Sequence, residues 1–416
     1  MRQFFVIPIV AAILLLVDYY VFQAVKVTFQ DKTAETRKLI YGIYWAINAI
    51  TLLGFAAASV LSYETINQTA KRFILIWTSV FYFSKLFIVL FLILDDLIRA
   101  FQWIYSKFSP PNPEITEVQD IKRSEFLMKS SLVVASVPIA VASFGILSGA
   151  HDYRVRQVKI KLPNLPSEFH GLKIGQLSDI HSGSFYNKTA VKGGVEMLIA
   201  QKPDLVFFTG DLVNNEASEM KNYTEVFGKI TAPLGVYSVL GNHDYGDYIY
   251  WESVEAKAKN LQNLMLVQKQ MGWNLLMNEN KILEQKGEKI AIMGIENWSA
   301  SNRFPKYGKL SQAHKGTEDS AVKLLLSHDP SHWRAEVLAK YPDIDLMMAG
   351  HTHGMQFGID IGDFRWSPAQ YIYPEWADLY QQNKQYLYVN RGFGYLGFPG
   401  RIGILPEITV FELLKG

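Results

Sequence analysis

The stretch Ile344-Asp345-Leu346-Met347-Met348-Ala349-Gly350-His351-Thr352-His353-Gly354 decides how the rest of the chain is read. An apolar run leads into two imidazoles that alternate about one small residue and are bracketed by glycines. The pattern predicts a buried strand ending in a tight turn, with two potential metal ligands at the strand's C-terminal edge. Alone, such a pair is equally at home on a polar surface loop. Four further blocks end in the same way: Asp179-Ile180-His181, Gly210-Asp211, Gly241-Asn242-His243-Asp244 and Ser327-His328-Asp329. Each follows its own short hydrophobic run, and five of the nine histidines fall in these blocks.

Around the blocks, from His151 onward, strand-like and helix-like patterns alternate as in an α/β domain. Leu172–Leu177, Pro203–Phe208, Val236–Leu240, Ile290–Met293 and Lys323–Leu326 read as strands, and Thr189–Gln201 and Glu252–Gln270 as helices. Gln385–Leu414 alternates well enough for two or three strands that close the sheet.

Residues 1–150 are of another kind. They carry four long apolar runs, 4–25, 39–61, 73–94 and 131–149. Each approaches the ~20 residues needed to cross a hydrocarbon core. Basic residues cluster in the first loop (Lys26, Lys32, Arg37, Lys38) and the third (Arg99, Lys107, Lys122, Arg123, Lys129). Positive loops stay cytoplasmic, so four crossings put the segment after Gly149 outside the cytoplasm, in a plasma or inner membrane. Asp18 and Lys85 are a lone acid and a lone base within runs one and three. A structural ion pair between them, or snorkelling of the lysine, is the expected reading.

Composition removes several functions. The formal charge is only +2 over 416 residues, which provides no basic field for nucleic acid. There is no cysteine, which excludes disulfides, thiolate metal sites and thiol nucleophiles.

Carboxylates, imidazoles and one amide oxygen make a mixed N/O donor set that suits Mn, Fe, Zn or Co. Seven such groups at separate strand ends exceed the needs of one four- to six-coordinate ion. Two ions ~3.5–4 Å apart are the economical reading, and that pairing recurs in phosphoester hydrolysis.

The order Asp-x-His, Gly-Asp, Gly-Asn-His-Asp, His, Gly-His-x-His resembles the calcineurin-like metallophosphoesterase family, over about residues 165–414. The resemblance implies a four-layered α/β/β/α sandwich for residues 151–416, preceded by the four-helix transmembrane region. It assigns Asp179, His181 and His353 to one divalent metal ion and Asn242, His328 and His351 to a second, with Asp211 bridging. His243 then protonates the leaving oxygen or stabilises its charge. Family members often read Gly-Asp-x-x-Asp in the second block, where the last acid orients that histidine. Here the position is Asn214, whose side chain is expected to reach His243 without bringing a charge.

Two aromatic clusters, Tyr245, Tyr248, Tyr250 and Trp251, and Trp366, Tyr371, Tyr373 and Trp376, follow the third and last blocks. They read either as packing or as a wall or lipid-facing patch beside the site. The combined expectation is a membrane-anchored two-metal enzyme that hydrolyses a phosphoester or pyrophosphate bond in a lipid-linked or envelope substrate. One alternative is a UDP-2,3-diacylglucosamine-type pyrophosphohydrolase of lipid A synthesis, whose nucleotide-linked substrate is normally cytoplasmic. Another is a transporter or sensor carrying a non-catalytic phosphoesterase-like domain.

Overall fold

The computed structural model describes residues 2–61, 68–108, 122–362 and 364–416, and the chain divides into two compact units, Met1–Ser143 and Phe144–Gly416. The first unit is built from helices α1 (Arg2–Thr28), α2 (Ala34–Val60) and α3 (Gln68–Phe108) and most of α4 (Glu125–Leu147). All four are long and apolar enough to cross a membrane, and only 17–28% of each span is buried within the protein. Side chains such as Leu16, Ile50, Leu53 and Phe101 point outward, the reverse of a water-soluble bundle.

Helix α3 runs well past the expected end at residue 94. Nothing in Asp95–Phe108 breaks a helix, and the first breaker is the Ser109-Pro110-Pro111 run, which lies outside the described residues. At ~1.5 Å per residue α3 is about twice as long as a hydrocarbon core is thick. Its charged turn, Asp95-Asp96, lies just past the apolar run read from the sequence. There Asp95 accepts from the Ser124 N–H at 2.9 Å, and Arg123 bonds Asp95 at 3.3 Å and Asp96 at 2.8 Å, holding the start of α4 against α3.

Inside the bundle, Asp18 and Lys85 form a buried ion pair. Lys85 Nζ also donates to Asn48 Oδ1, Tyr82 donates to the Asp18 carboxylate at 2.9 Å, and Tyr44 donates to the Asp18 carbonyl at 2.6 Å. The two charges thus tie α1, α2 and α3 together and satisfy one another within the apolar layer.

Among its described residues the second unit contains fourteen strands: β1 (Arg154–Leu162), β2 (Leu172–Leu177), β3 (Leu205–Phe208), β4 (Val236–Ser238), β5 (Asn274–Leu275), β6 (Glu279–Gln285), β7 (Glu288–Gly294), β8 (Val322–Leu326), β9 (Leu346–Ala349), β10 (Ile359–Ile361), β11 (Phe364–Trp366), β12 (Asp378–Gln382), β13 (Gln385–Val389) and β14 (Glu407–Lys415). Two six-stranded sheets form, ordered β1-β14-β2-β3-β4-β5 and β12-β13-β9-β8-β7-β6, with β10 and β11 a separate hairpin.

Period-two alternation decides how the sheets pack. Leu205 and Phe207 face the layer between the sheets, while Val206 and Phe208 face the helix Lys188–Ala200 and its neighbours. In the second sheet Leu324, Leu326, Leu346 and Met348 meet the same central layer. Leu325, Met347 and Ala349 face Leu310, Trp333 and Val337 on the outer side. The result is the expected α/β/β/α sandwich. The strands expected in 385–414 are there, but β13 and β14 belong to different sheets, so this segment closes both. β6 carries no clear period-two signal, because it is a half-exposed edge strand of mixed charge.

β2, β3 and β4 are mutually parallel, as are β7, β8 and β9. The motif blocks after β2, β3, β4, β8 and β9 therefore leave the sheets at their C-terminal ends. The boundary expected at residue 150 falls inside this unit: the Gly145 carbonyl accepts from Arg401 N–H at 3.1 Å, and Ile146 O accepts from the Tyr186 hydroxyl.

Replacing either Asp18 or Lys85 by leucine leaves the other charge unpaired in the bundle and should destabilise it by ~3 kcal/mol. The double replacement should recover most of that loss. Thermal unfolding of the four purified proteins in one detergent checks this, and additive losses would refute the pairing.

Candidate metal centre

Three of the five blocks reach the site through a strained turn. Asp179, His181, Asp211, His351 and His353 all have left-handed backbones, with φ between 48° and 71°. For residues with a Cβ this is sparsely populated and persists only where surroundings enforce it. The flanking glycines allow the close approach: a Cβ on Gly350 would strike Ser178 and the Asp179 carboxylate, and one on Gly241 would strike Asp211.

Six side chains offer donor atoms in two groups. Asp179, His181 and His353 form one, and Asp211, His328 and His351 the other, with the atoms of each group within 4.8 Å of one another. In the first, His181 Nε2 lies 3.1 Å from His353 Nε2, which is 3.3 Å from Asp179 Oδ1. In the second, His328 Nε2 lies 3.2 Å from Asp211 Oδ2 and 3.3 Å from His351 Nδ1. Asn242 Oδ1 joins this group at 2.9 Å from His351 Nδ1. Asp211 Oδ2 is also 3.6 Å from His181 Nε2, so the one carboxylate faces both groups.

The opposite edges of these side chains are held by the protein. His328 Nδ1 bonds the Thr209 carbonyl at 2.8 Å, and His351 Nε2 bonds the Tyr373 hydroxyl at 2.8 Å. Asn242 Nδ2 donates to Tyr248 at 2.8 Å, which leaves its oxygen aimed at the site. Arg401 has no acceptor, so its contact with His353 Nδ1 at 3.2 Å is a donation that turns Nε2 toward Asp179. Bonds of this kind fix ring orientation in metal sites.

The buried groups of the site shift one another strongly. Burial alone would raise the carboxyl of Asp211, yet the imidazoles of His328 and His243 hold it well below the ordinary carboxylate range. Burial would likewise lower His328, but Asp211 raises it to about 10. His181 and His351 are both held low by burial. Two imidazole nitrogens face to face at 3.1 Å beside buried carboxylates fit a shared cation, since buried charge of one sign demands a partner.

His243 stands at the rim, its ring 5.0 Å from that of His181 and 4.4 Å from that of Tyr248. Its main-chain N–H donates to Asp211 Oδ1 at 2.8 Å. The expected side-chain contact from Asn214 is not made. His243 Nδ1 meets the main-chain carbonyl of Asn214 at 2.7 Å, while the Asn214 side chain turns to Ser184. Glu219 explains the difference: its carboxylate takes the N–H groups of Asn214, Asn215 and Gly183, winding the loop so that a carbonyl faces the ring.

Sequence reasoning gave Glu219 and Arg401 no role, and none to Asp244, whose carboxylate accepts from four main-chain N–H groups. Glu219 and Arg401 lie outside the motif blocks, so only the folded chain brings them in. Of the aromatics, Tyr248 and Tyr373 touch site residues, Tyr245 and Trp376 are buried packing, and Tyr250 and Tyr371 are exposed. The donor groups open onto a cavity of about 730 Å³, lined also by Arg303, Phe304, Arg334 and Ile372. A depression of about 920 Å³ beside the helix Val254–Gln270 carries none of these donors.

Two family models match the chain: "Probable Calcineurin-like phosphoesterase, transmembrane domain" over residues 1–150 and "Calcineurin-like phosphoesterase" over residues 172–355. The "Uncharacterized metallophosphoesterase YkuE" of Bacillus subtilis is 31% identical over 63% of this chain and 86% of its own. The chain belongs to the calcineurin-like metallophosphoesterase family. A "Transmembrane protein with metallophosphoesterase domain" of Danio rerio is 30% identical over 68% of this chain, and the match spans 62% of that relative's length. "Phosphodiesterase YaeI" of Escherichia coli is 24% identical over 71% of this chain and its own full length.

Because a main-chain carbonyl holds the His243 ring, Asn214→Ala should leave both the turnover of a soluble phosphodiester and its pH profile within about threefold of wild type. A displaced alkaline limb would show that the amide tunes the ring. Arg401→Met should weaken Mn²⁺ binding ~10–100-fold, the usual cost of losing a residue that orients a ligand. Metal titration by calorimetry reads that directly.

Proposed function

We propose that the protein is a membrane-anchored, two-metal phosphoesterase acting on phosphodiester bonds, with Asp179, His181 and His353 holding one divalent ion, Asn242, His328 and His351 the other, and Asp211 bridging them. The observation that carries this reading is the position of Asp211 Oδ2 between His181 and His328, where one carboxylate faces both donor groups. Bound there, two such ions supply Lewis acidity toward the phosphoryl oxygens and lower the pKa of an attacking water. Mn, Fe, Zn and Co all suit the N/O donor set.

The chain's own groups do the rest. Asp211 also accepts from the His243 N–H, which places the ring at the mouth of the site. With Nδ1 donating to the Asn214 carbonyl, Nε2 is the nitrogen left to hand a proton to the departing oxygen. Arg303 lines the cavity and offers a guanidinium to a second phosphate oxygen or headgroup. The name of the Escherichia coli relative favours a diester.

Four spans tether this site to a bilayer and favour a lipid-linked or envelope substrate. Basic residues in the first and third loops favour an extracytoplasmic catalytic unit. A nucleotide-linked pyrophosphate fits that side poorly. The transporter reading finds little support in a bundle whose buried charges Asp18 and Lys85 are already paired.

Asp211→Asn should abolish hydrolysis of bis(p-nitrophenyl) phosphate in Mn²⁺ and reduce bound metal. His243→Ala should cost ~10²–10⁴ in kcat while both metals remain, as loss of a general acid would. Elemental analysis beside the assay checks both, and full activity of metal-stripped wild type would overturn the proposal.

A further inference from the structure

The hairpin β10–β11 is amphipathic in a way no core requires. Asp360 and Arg365 are cross-strand neighbours on one face. Asp360 pairs with Arg156 and Arg391, and Arg365 with Asp378, so this face is pinned to the body of the domain. The opposite face carries Ile359, Ile361, Phe364 and Trp366. Among the described residues neither strand pairs with any other, and Ile361 and Phe364 are 75% and 61% exposed. Tyr371 and Ile372, 76% and 61% exposed, follow directly, and Phe357 packs edge-on against Trp366 at 6.2 Å. A contiguous apolar patch of this kind marks an interaction surface.

Two connections say what covers it. The first leads to the membrane span. Ile402 pairs with the root of the hairpin, donating to Gln356 O at 2.8 Å and accepting from Gly358 N–H at 2.9 Å. Arg401, its neighbour, donates to the Gly145 carbonyl in the last turn of α4. The hairpin root is therefore one segment away from the point where the polypeptide leaves its fourth span. The second leads to the site: Ile372, part of the patch, also lines the candidate metal cavity, as do Met355 and Ala369.

We propose that β10–β11, with Tyr371 and Ile372, dips into the surface of the bilayer that α4 leaves, and that an amphiphilic phosphoester passes from lipid along this patch into the cavity. The substrate half of this inference rests on the phosphodiesterase reading; the membrane contact does not. Pinning by ion pairs is what a wedge needs, because an apolar finger held rigid inserts without first being ordered. Ile361 and Phe364, on the strands either side of its turn, match the interfacial layer in kind.

The native chain has no cysteine, so single replacements Ile361→Cys, Phe364→Cys and Lys286→Cys can each carry one fluorophore in the full-length protein. Lys286 lies between β6 and β7, and β6 forms the sheet edge opposite β12, to which the hairpin is pinned. In nanodiscs with lipid spin-labelled near the headgroup end of the acyl chain, emission at 361 and 364 should fall at least about twofold and that at 286 should not. Equal quenching at all three positions, or concentration-dependent crosslinking of two copies through 361, would overturn the membrane contact.

A second arm uses Ile361→Glu with Phe364→Glu. Hydrolysis of a phosphodiester lipid embedded in vesicles should fall ~10-fold or more, and that of bis(p-nitrophenyl) phosphate should stay within about twofold. Equal loss on both substrates would refute delivery from lipid. Wild type without any hydrolysis would refute the phosphodiesterase reading and leave the quenching result standing.

Discussion

Four main-chain amides from two turns converge on the carboxylate of Asp244. Asp211 and Gly241 donate to one oxygen at 2.9 Å each, and Leu212 and Val213 to the other at 2.8 and 3.2 Å. The residue is buried, so these bonds are not exchanged with water. Burial and the nearby Asp211 push its carboxyl up to about 7, while the amides favour the charged form. This clasp adds four bonds to the two that His243 makes between the turn after β3 and the turn after β4. With it, Asp211, Asn242 and His243 come from different strands yet sit in one register. The site is thus a property of clasped turns, and the strands only deliver them.

Clasping also accounts for the unusual backbone of the site. Five donor residues in the left-handed region would each relax to an ordinary conformation in a free peptide. Here each turn is over-determined. The Asp179 carboxylate takes the His351 N–H at 3.0 Å, and its carbonyl takes the N–H of Gly394 at 2.8 Å. His181 N–H is bonded to the Asp211 carbonyl at 3.1 Å. A preset geometry of this kind lowers the reorganisation needed when charge develops on a substrate.

What could be read from the chain alone follows the same division. Donor residues were legible because short apolar runs followed by Asp, Asn or His with glycine state both the strand and its abrupt end. Four long apolar runs stated the spans, though α3 outran its hydrophobic stretch because helix propensity carries on where hydropathy stops. The Asn214 contact was misread because side-chain identity says nothing about which atom a loop presents. Glu219, just beyond the second motif block, turns a carbonyl toward His243 instead. The hairpin was invisible for a related reason. Three-residue strands with a charge in the middle carry almost no periodic signal, and only the pairing of Asp360 with Arg365 reveals which face is apolar.

Arg401 joins these levels. Its side chain donates to His353 Nδ1 and to the carbonyls of Gly392 and Gly394, and its main-chain N–H donates to Gly145 at the end of α4. Its carbonyl lies so near Gly149 that a Cβ there would collide with it. Residues 144–150 are therefore part of the fold that supports His353 and the candidate metal centre, although by composition they read as the tail of a membrane span. A sequence boundary drawn where hydrophobicity ends cuts through this contact. The apolar end of α4 is long enough to serve two packing partners in turn, lipid along most of its length and the Gly400–Ile402 segment at its last turn. That double use explains why the compact unit begins before the hydrophobic run ends.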